Sequence, residues 1–249
     1  MHVPETLFIL GLYKRKLRME IKAIIFDFDG VVVDTEPLYE NAENRLFRGY
    51  GVVVSEEDWR KFKGLSEEAF YRYIRDKFKI RAPLQELKEK GREYLKEEFK
   101  KNIRYVDGFL DFFRAIRDSY ITALVTSSSE EILTWIFNNT KIENRFDFVV
   151  TSQDVSNSKP HPEPYLKACQ LMGIKPSEAV VIEDSINGIK SSTGAGILTI
   201  GLATTFPPEE LTGADFVAKD YTEVTSIIKG LIKGRDNVES KKLDEIVEN

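Results

Sequence analysis

Histidine and cysteine are nearly absent from this sequence. Its 249 residues include two histidines, His2 and His161, and a single cysteine, Cys169. One cysteine excludes an intramolecular disulfide, and a reducing, cytoplasmic location is the simplest reading. Two histidines, one of them at the extreme N-terminus, exclude a histidine-ligated metal and nearly every mechanism built on a histidine base. Chemistry must then come from carboxylates, hydroxyls and lysines. Long hydrophobic runs are missing too. The apolar stretch Leu7–Tyr13 precedes its positive charges (Lys14, Arg15, Lys16, Arg18) instead of following them as in a signal peptide. It is also far shorter than the roughly 20 residues of a spanning helix, so no membrane role is expected. A net charge of −5 offers no basic field for nucleic acid or anionic lipid.

What is present is alternation. Runs rich in β-branched residues occur at Ile21–Phe28, Ile121–Thr126, Phe146–Thr151, Ala179–Glu183 and Ile197–Ile200. Helical patterns separate most of them, such as Phe109, Phe112, Phe113 and Ile116 on one face. Strands alternating with helices predict an α/β fold: a Rossmann-like parallel sheet with helices on both faces and a ligand site at the carboxyl ends of its strands. Residues 35–105 break the rhythm with successive helical patterns, Pro37–Tyr50, Ser55–Phe62, Ser66–Phe78 and Pro83–Lys101, and Gly51–Val54 is the one extended stretch among them. The expected organisation is an N-terminal extension (1–18), a core domain (19–34 and 106–235), an inserted helical cap (35–105) and a charged C-terminal tail (236–249). Val33–Glu36 and Asn102–Gly108 are then the hinges.

Polar residues interrupt the apolar runs where strands end. Asp27 and Asp29 follow the first run two residues apart, and would share a side if the strand persisted. Two like charges at ~4 Å repel by about 4 kcal/mol at an effective dielectric near 20, so a cation or a shared proton is expected between them. Gly30 permits an abrupt turn behind them. Glu183-Asp184 forms a second acidic pair after an apolar run, with Asp184 or Ser185 placed to cap a helix. Two acidic strand ends on one edge of a parallel sheet supply the oxygen ligands that Mg²⁺ requires. Thr126-Ser127-Ser128-Ser129 brings hydroxyls and backbone N–H groups to a strand–helix junction, which suits a phosphate or merely caps a helix. Lys159, between Ser158 and Pro160, is either a solvated lysine or a fixed positive charge beside a phosphoryl group. His161 lies between two prolines and reads as a positional residue, and Cys169 as packed core.

These four elements, in this order, resemble the haloacid-dehalogenase superfamily over roughly residues 21–225. Asp27-Phe28-Asp29-Gly30-Val31 is similar to its first motif, Thr126 to the second, Lys159 to the third and Glu183-Asp184 to the fourth. The helical insertion resembles the C1-type cap. Asp34-Thr35-Glu36-Pro37 and Lys63-Gly64-Leu65-Ser66 are similar to segments of the β-phosphoglucomutase-like branch, which includes many small-molecule phosphatases. The resemblance implies Mg²⁺ as cofactor, held by Asp27, the Asp29 backbone carbonyl and Asp184 with Glu183 nearby. It implies Asp27 as nucleophile and Asp29 as acid and base, with Thr126, Ser127 and Lys159 on the phosphoryl oxygens. Glu36, Tyr39 and Lys63 are the substrate-facing positions it points to on the cap side. The implied partner is a small phosphorylated substrate, a sugar phosphate or a phosphoglycolate-like ester, and the implied assembly a monomer or homodimer.

Four rivals stand beside a phosphatase. A dehalogenase lacks the carboxylate that Asp29 provides, and a phosphonatase needs a cap lysine, for which Lys63 is the one position in view. A non-catalytic phosphometabolite-binding protein has no use for the full motif set. A hexose-phosphate mutase of the same branch is distinguished by two departures: Tyr39 stands where mutases place a histidine, and Glu67 where they place an arginine for a second phosphate. Glu67 is expected to repel that phosphate.

Overall fold

The computed structural model describes residues 20–62 and 65–232. The predicted N-terminal extension (1–18), the whole of the predicted C-terminal tail (236–249) and Lys63 lie outside these residues. Strand β1 (Ala23–Phe26) is fully buried at all four positions. Alternation sends Ala23 and Ile25 to one face and Ile24 and Phe26 to the other. A strand buried on both faces belongs in the middle of a sheet, and β1 pairs in parallel with β2 (Ile121–Val125) on one side and β4 (Ala179–Glu183) on the other. With β3 (Phe148–Val150), β5 (Leu198–Leu202) and β6 (Phe216–Ala218), the order is β3-β2-β1-β4-β5-β6, all parallel. The strand order reverses at β1, and a crevice opens there at the carboxyl ends of the strands. β6 carries no run long enough to announce it in the sequence. The first predicted strand, Ile21–Phe28, is shorter at both ends, and the chain leaves the ladder just past Asp27, whose N–H makes the last bond to β4.

Helices α1 (Glu36–Gly49), α2 (Glu56–Phe62), α3 (Glu67–Lys77) and α4 (Leu84–Asn102) intervene between β1 and β2 and form the cap. They enclose their own cluster of Leu46, Phe47, Phe62, Phe70, Tyr71, Ile74 and Leu87. Gly51–Val54 pairs with no strand, contrary to its extended reading. At the cap's base Leu38, Ala42, Leu95 and Phe99 join the main core. The two connecting segments run side by side: Val33 bridges Tyr105, Asp34 N–H donates to Arg104 O at 3.0 Å, and the Arg104 guanidinium holds the Asp34 carboxylate at 2.7 Å. Away from these connections the cap meets the core through ion pairs, Arg60 with Glu210 at 2.7 Å and both Arg92 and Lys96 with Glu131 at 2.8 and 3.0 Å.

Helices α5 (Phe109–Ile116), α6 (Glu130–Asn139) and α9 (Tyr221–Ile232) pack on the face of the sheet that carries Phe26. α7 (Glu163–Met172) covers the other face with Tyr165, Ala168, Cys169 and Met172. The remaining helix, α8 (Ile186–Gly194), follows β4. Among the described residues no helix is long and apolar enough to cross a membrane. The Phe26 ring sits 5.7–6.1 Å from those of Phe109, Phe112, Phe113 and Phe146. Phe26→Ala removes the centre of this packing and is expected to lower unfolding free energy by about 3–5 kcal/mol, read as a lower urea midpoint at unchanged slope. A shift under about 1 kcal/mol would show that the cluster re-closes around the void.

Candidate active site

Three strand ends converge in the crevice. Asp27 follows β1 directly, its N–H still donating to Ile182 O at 3.1 Å. Lys159 reaches it from the segment before α7. Its ammonium donates to Asp27 Oδ1 at 2.5 Å, to Glu183 Oε1 at 2.6 Å and to Val125 O at 3.0 Å, which uses all three of its protons. Burial alone would lower this amine's pKa, but the Asp27 and Glu183 carboxylates outweigh it and raise the value, so the lysine is a fixed cation.

Glu183 is fully buried, with both oxygens occupied. Oε1 accepts from Lys159 and from the Tyr165 hydroxyl at 2.8 Å, while Oε2 accepts from the Ser185 N–H and hydroxyl at 3.1 and 3.0 Å. Ser185 also caps α8 by accepting from the Gly188 N–H at 3.0 Å. Gly188 is obligatory here, since a Cβ on it would lie 1.6 Å from Glu183 Oε1. Asp184 is nearly buried, hydrogen-bonded to Thr205, and packed on Gly30 so closely that a Cβ there would meet its Oδ2 at 1.9 Å. Gly30 also takes a φ of +73°, which turns the chain out of the strand just past Asp29.

That turn separates the fates of the two aspartates. Asp29 has no cation within hydrogen-bond reach among the described residues. Its Oδ1 accepts from the Thr35 hydroxyl at 2.8 Å and its Oδ2 from the Ser128 hydroxyl at 3.2 Å. Burial raises its pKa against these two bonds. Asp27 is driven up to about 8 by burial, with Lys159 pulling it back and Glu183 and Asp29 adding to the rise. Asp184 is raised well above the usual carboxylate range by burial, then by Asp27 and Glu183. Carboxylate oxygens of Asp27, Glu183 and Asp184 all lie within 4.8 Å of one another. Three carboxylates facing one ammonium leave the cluster short of positive charge, and the all-oxygen donor set fits a hard divalent cation.

A cavity of about 360 Å³ lies between this cluster and the cap. Asp27, Asp29, Glu36, Tyr39, Ser127, Lys159 and Asp184 line it, together with Ser128, whereas Thr126 and Glu183 stand behind it. Thr126 is buried and its hydroxyl accepts from the Ser128 N–H at 3.0 Å. Ser129 caps α6, which frees Ser128 for Asp29. The Tyr39 phenol stands 3.5 Å from the Ser128 hydroxyl, and burial raises its pKa well above that of a free tyrosine, so it stays protonated. His161 accepts from the Glu163 N–H at 3.2 Å at the surface, outside the cavity. Glu67 needs correction. The Arg92 guanidinium grips it in two bonds of 2.6 and 2.7 Å, so this position presents a neutral pair where repulsion is expected from the sequence. The partners Thr35, Tyr165, Thr205 and Arg92 were not singled out by sequence reasoning. Of these only Thr35, inside Asp34-Thr35-Glu36-Pro37, carries a local signal, as does the further partner Ser128, inside the hydroxyl run.

Residues 24–202 match the family model described as haloacid dehalogenase-like hydrolase. The chain belongs to the haloacid dehalogenase-like hydrolases. Within them it falls in the β-phosphoglucomutase-like branch. This hydrolase is 31% identical over 178 residues to the phosphorylated carbohydrates phosphatase of Thermotoga maritima, covering 71% of this chain and 82% of that one. It is 31% identical over 205 residues to the validoxylamine A 7′-phosphate phosphatase of Streptomyces hygroscopicus subsp. limoneus, covering 82% and 95%. Among solved structures it resembles CbbY from Rhodobacter sphaeroides in complex with phosphate, at a TM-score of 0.73 and 25% identity over 82% of this chain and 96% of that one.

Proposed function

We propose that this hydrolase is a Mg²⁺-dependent phosphatase that cleaves a small phosphorylated metabolite through an aspartyl-phosphate on Asp27. The observation that carries this reading is the unequal treatment of two neighbouring carboxylates. Asp27 lies against a buried ammonium, and Asp29 is held by neutral hydroxyls alone. Asp27 thus has a fixed counter-charge beside it, as a nucleophile requires, while Asp29 has hydroxyl partners and a pKa raised by burial, which suits a group that takes up and hands on a proton. Mg²⁺ held by Asp27 and Asp184 would balance the acidic cluster, keep Asp27 ionised near neutrality and draw charge from the phosphoryl oxygens.

In the first half-reaction an Asp27 carboxylate oxygen attacks phosphorus, the ester P–O bond breaks, and the Asp29 carboxyl proton passes to the leaving alkoxide. Asp29 is then a carboxylate. In the second half it takes a proton from water as that water attacks phosphorus, releasing inorganic phosphate and restoring Asp27. Lys159 screens the approach of an anionic substrate to an anionic nucleophile, and Glu183, tied by Tyr165 and Ser185, holds that lysine in place. Ser127 lines the cavity where the phosphoryl oxygens would lie. The phosphatase relatives support this reading, as does Tyr39, whose protonated phenol cannot relay protons as a mutase histidine does.

The test is product analysis. With Mg²⁺, the enzyme should release phosphate from an aryl phosphate and from β-glucose 1-phosphate, with or without glucose 1,6-bisphosphate as primer. Glucose 6-phosphate forming faster than phosphate would overturn hydrolysis in favour of a mutase.

A further inference from the structure

The cap side of the cavity holds two polar groups that the chemistry above does not use. Helix α1 presents Glu36, Tyr39, Glu40 and Glu43 to the cavity at helical spacing, and Tyr71 of α3 faces it beside Arg92 of α4. Neither the Glu43 carboxyl nor the Tyr71 hydroxyl has a hydrogen-bond or ion-pair partner among the described residues, although Glu43 is half-buried and Tyr71 buried. Space has been made for the phenol. Gly91, in the interior of α4, lies so close that a Cβ there would sit 1.8 Å from the Tyr71 oxygen. A helix-interior glycine costs about 1 kcal/mol relative to alanine.

Carboxylates outnumber cations on this wall among the described residues. Beyond the catalytic cluster the cavity is lined by Glu36, Glu40, Glu43, Glu56 and Glu67. Arg92 is the one cation lining that part among the described residues, and its guanidinium is already committed to Glu67 and Glu131. Burial, then Glu36 and Glu40, raises the pKa of Glu43, as expected for a carboxyl with no counter-charge. Distance sets the size of what fits. From Thr35, which holds Asp29, to Glu43 is eight residues, or about 12 Å along a helix, and helical side chains lean back toward the N-terminus. Less the reach of the two side chains, that rise leaves room on the order of one sugar ring and the carbon that bears the phosphate ester.

We propose that Glu43, with Tyr71, is a specificity-determining pair: it receives the end of the substrate farthest from phosphorus, selects hydroxyl or ammonium donors there, and excludes esters that carry a second anion. This rests on the phosphatase reading above. A hydroxyl or ammonium donor placed here offsets the burial and the repulsion from Glu36 and Glu40 and holds Glu43 as a carboxylate acceptor, whereas a second carboxylate or phosphate adds to that repulsion. Charge-assisted bonds are the stronger kind, so an ammonium should gain most.

The experiment compares kcat/KM for glucose 6-phosphate, glucosamine 6-phosphate, 6-phosphogluconate and fructose 1,6-bisphosphate, each divided by the value for an aryl phosphate. Wild-type enzyme should favour the first two over the anionic pair by about tenfold or more. Glu43→Gln should lower the glucosamine 6-phosphate ratio about tenfold, mostly through KM, and raise that of 6-phosphogluconate. Tyr71→Phe, which keeps the ring and therefore the packing, should lower both sugar ratios by a few-fold. Unchanged ratios in both variants, or a wild-type preference for the doubly anionic esters, would overturn this inference and leave the phosphatase reading standing. Failure to hydrolyse any ester, the aryl phosphate included, would overturn the phosphatase reading and this inference with it.

Discussion

Asp27→Asn is expected to lower kcat about a thousandfold or more while the protein stays folded. The change replaces one oxygen by nitrogen and keeps the shape, so the neighbours of the side chain are not displaced. An amide oxygen carries no charge to attack phosphorus and leaves no route to an acyl-phosphate. Lys159 exchanges an anionic acceptor for a neutral amide oxygen and keeps Glu183 at 2.6 Å and Val125 O at 3.0 Å, so its ammonium is not stranded. Removing one of three crowded carboxylates also relieves repulsion, and the metal-free variant should melt no lower than metal-free wild type. Asp29→Asn provides the contrast. It removes the proton donor, so its penalty should be larger for an alkyl phosphate than for a nitrophenyl phosphate, whose leaving group needs no proton. Retention by Asp27→Asn of more than about a hundredth of wild-type kcat would sink the assignment of the nucleophile.

The parts of this molecule that were legible in its sequence are those written in local pattern. Buried parallel strands are continuous apolar runs, so β1 to β5 could be read directly, and the polar residue that ends a run such as that of β1, β2 or β4 marked the sheet edge where the site lies. β6 escaped because Phe216–Ala218 is closed in by Asp215 and Lys219, whereas β3, equally short and also at an edge, lies within the longer run Phe146–Thr151. Gly51–Val54 misled for the opposite reason: three valines satisfy β propensity, but no neighbouring strand is there to pair with them. Within the site, motif spacing located Asp27, Asp29, Lys159 and Asp184. It could not give their partners, because Tyr165 reaching Glu183 or Ser128 reaching Asp29 depends on how helices and loops close in three dimensions. The Glu67 expectation failed in the same way. A charge read alone repels, but 25 residues further on in the chain Arg92 supplies its counter-ion.

In the metal-free protein the melting temperature is expected to fall as pH rises from about 5 to 8, and Mg²⁺ to reverse the fall. Burial pushes Asp27 up to about 8 and raises Asp29 and Asp184 in the same direction. In the unfolded chain aspartates titrate near ~3.9. Between these values the native state binds more protons than the unfolded state, so stability declines with rising pH. Other groups act outside this window. Surface carboxylates paired with lysine or arginine, such as Glu57, Glu97 and Glu178, are lowered and have delivered their stabilisation before about pH 5. Lys159 is raised, so its contribution is lost only above the ordinary lysine range. A divalent cation displaces the protons held by the cluster and favours the folded state. At a hundredfold excess over its dissociation constant it stabilises by about 2.7 kcal/mol, or roughly 5–10 °C for a chain of this size. The shift should be large at pH 8 and much smaller at pH 5.5, where cation and protons compete. Activity should vanish in excess chelator and return with Mg²⁺, and Ca²⁺ should substitute poorly because its larger, flexible shell misplaces the phosphoryl group. Melting curves at the two pH values, with chelator and with Mg²⁺, decide the matter. A melting temperature that is flat with pH and indifferent to Mg²⁺, together with turnover that survives chelation, would remove the cation from Asp27 and Asp184 and leave Lys159 as the cluster's only balancing charge.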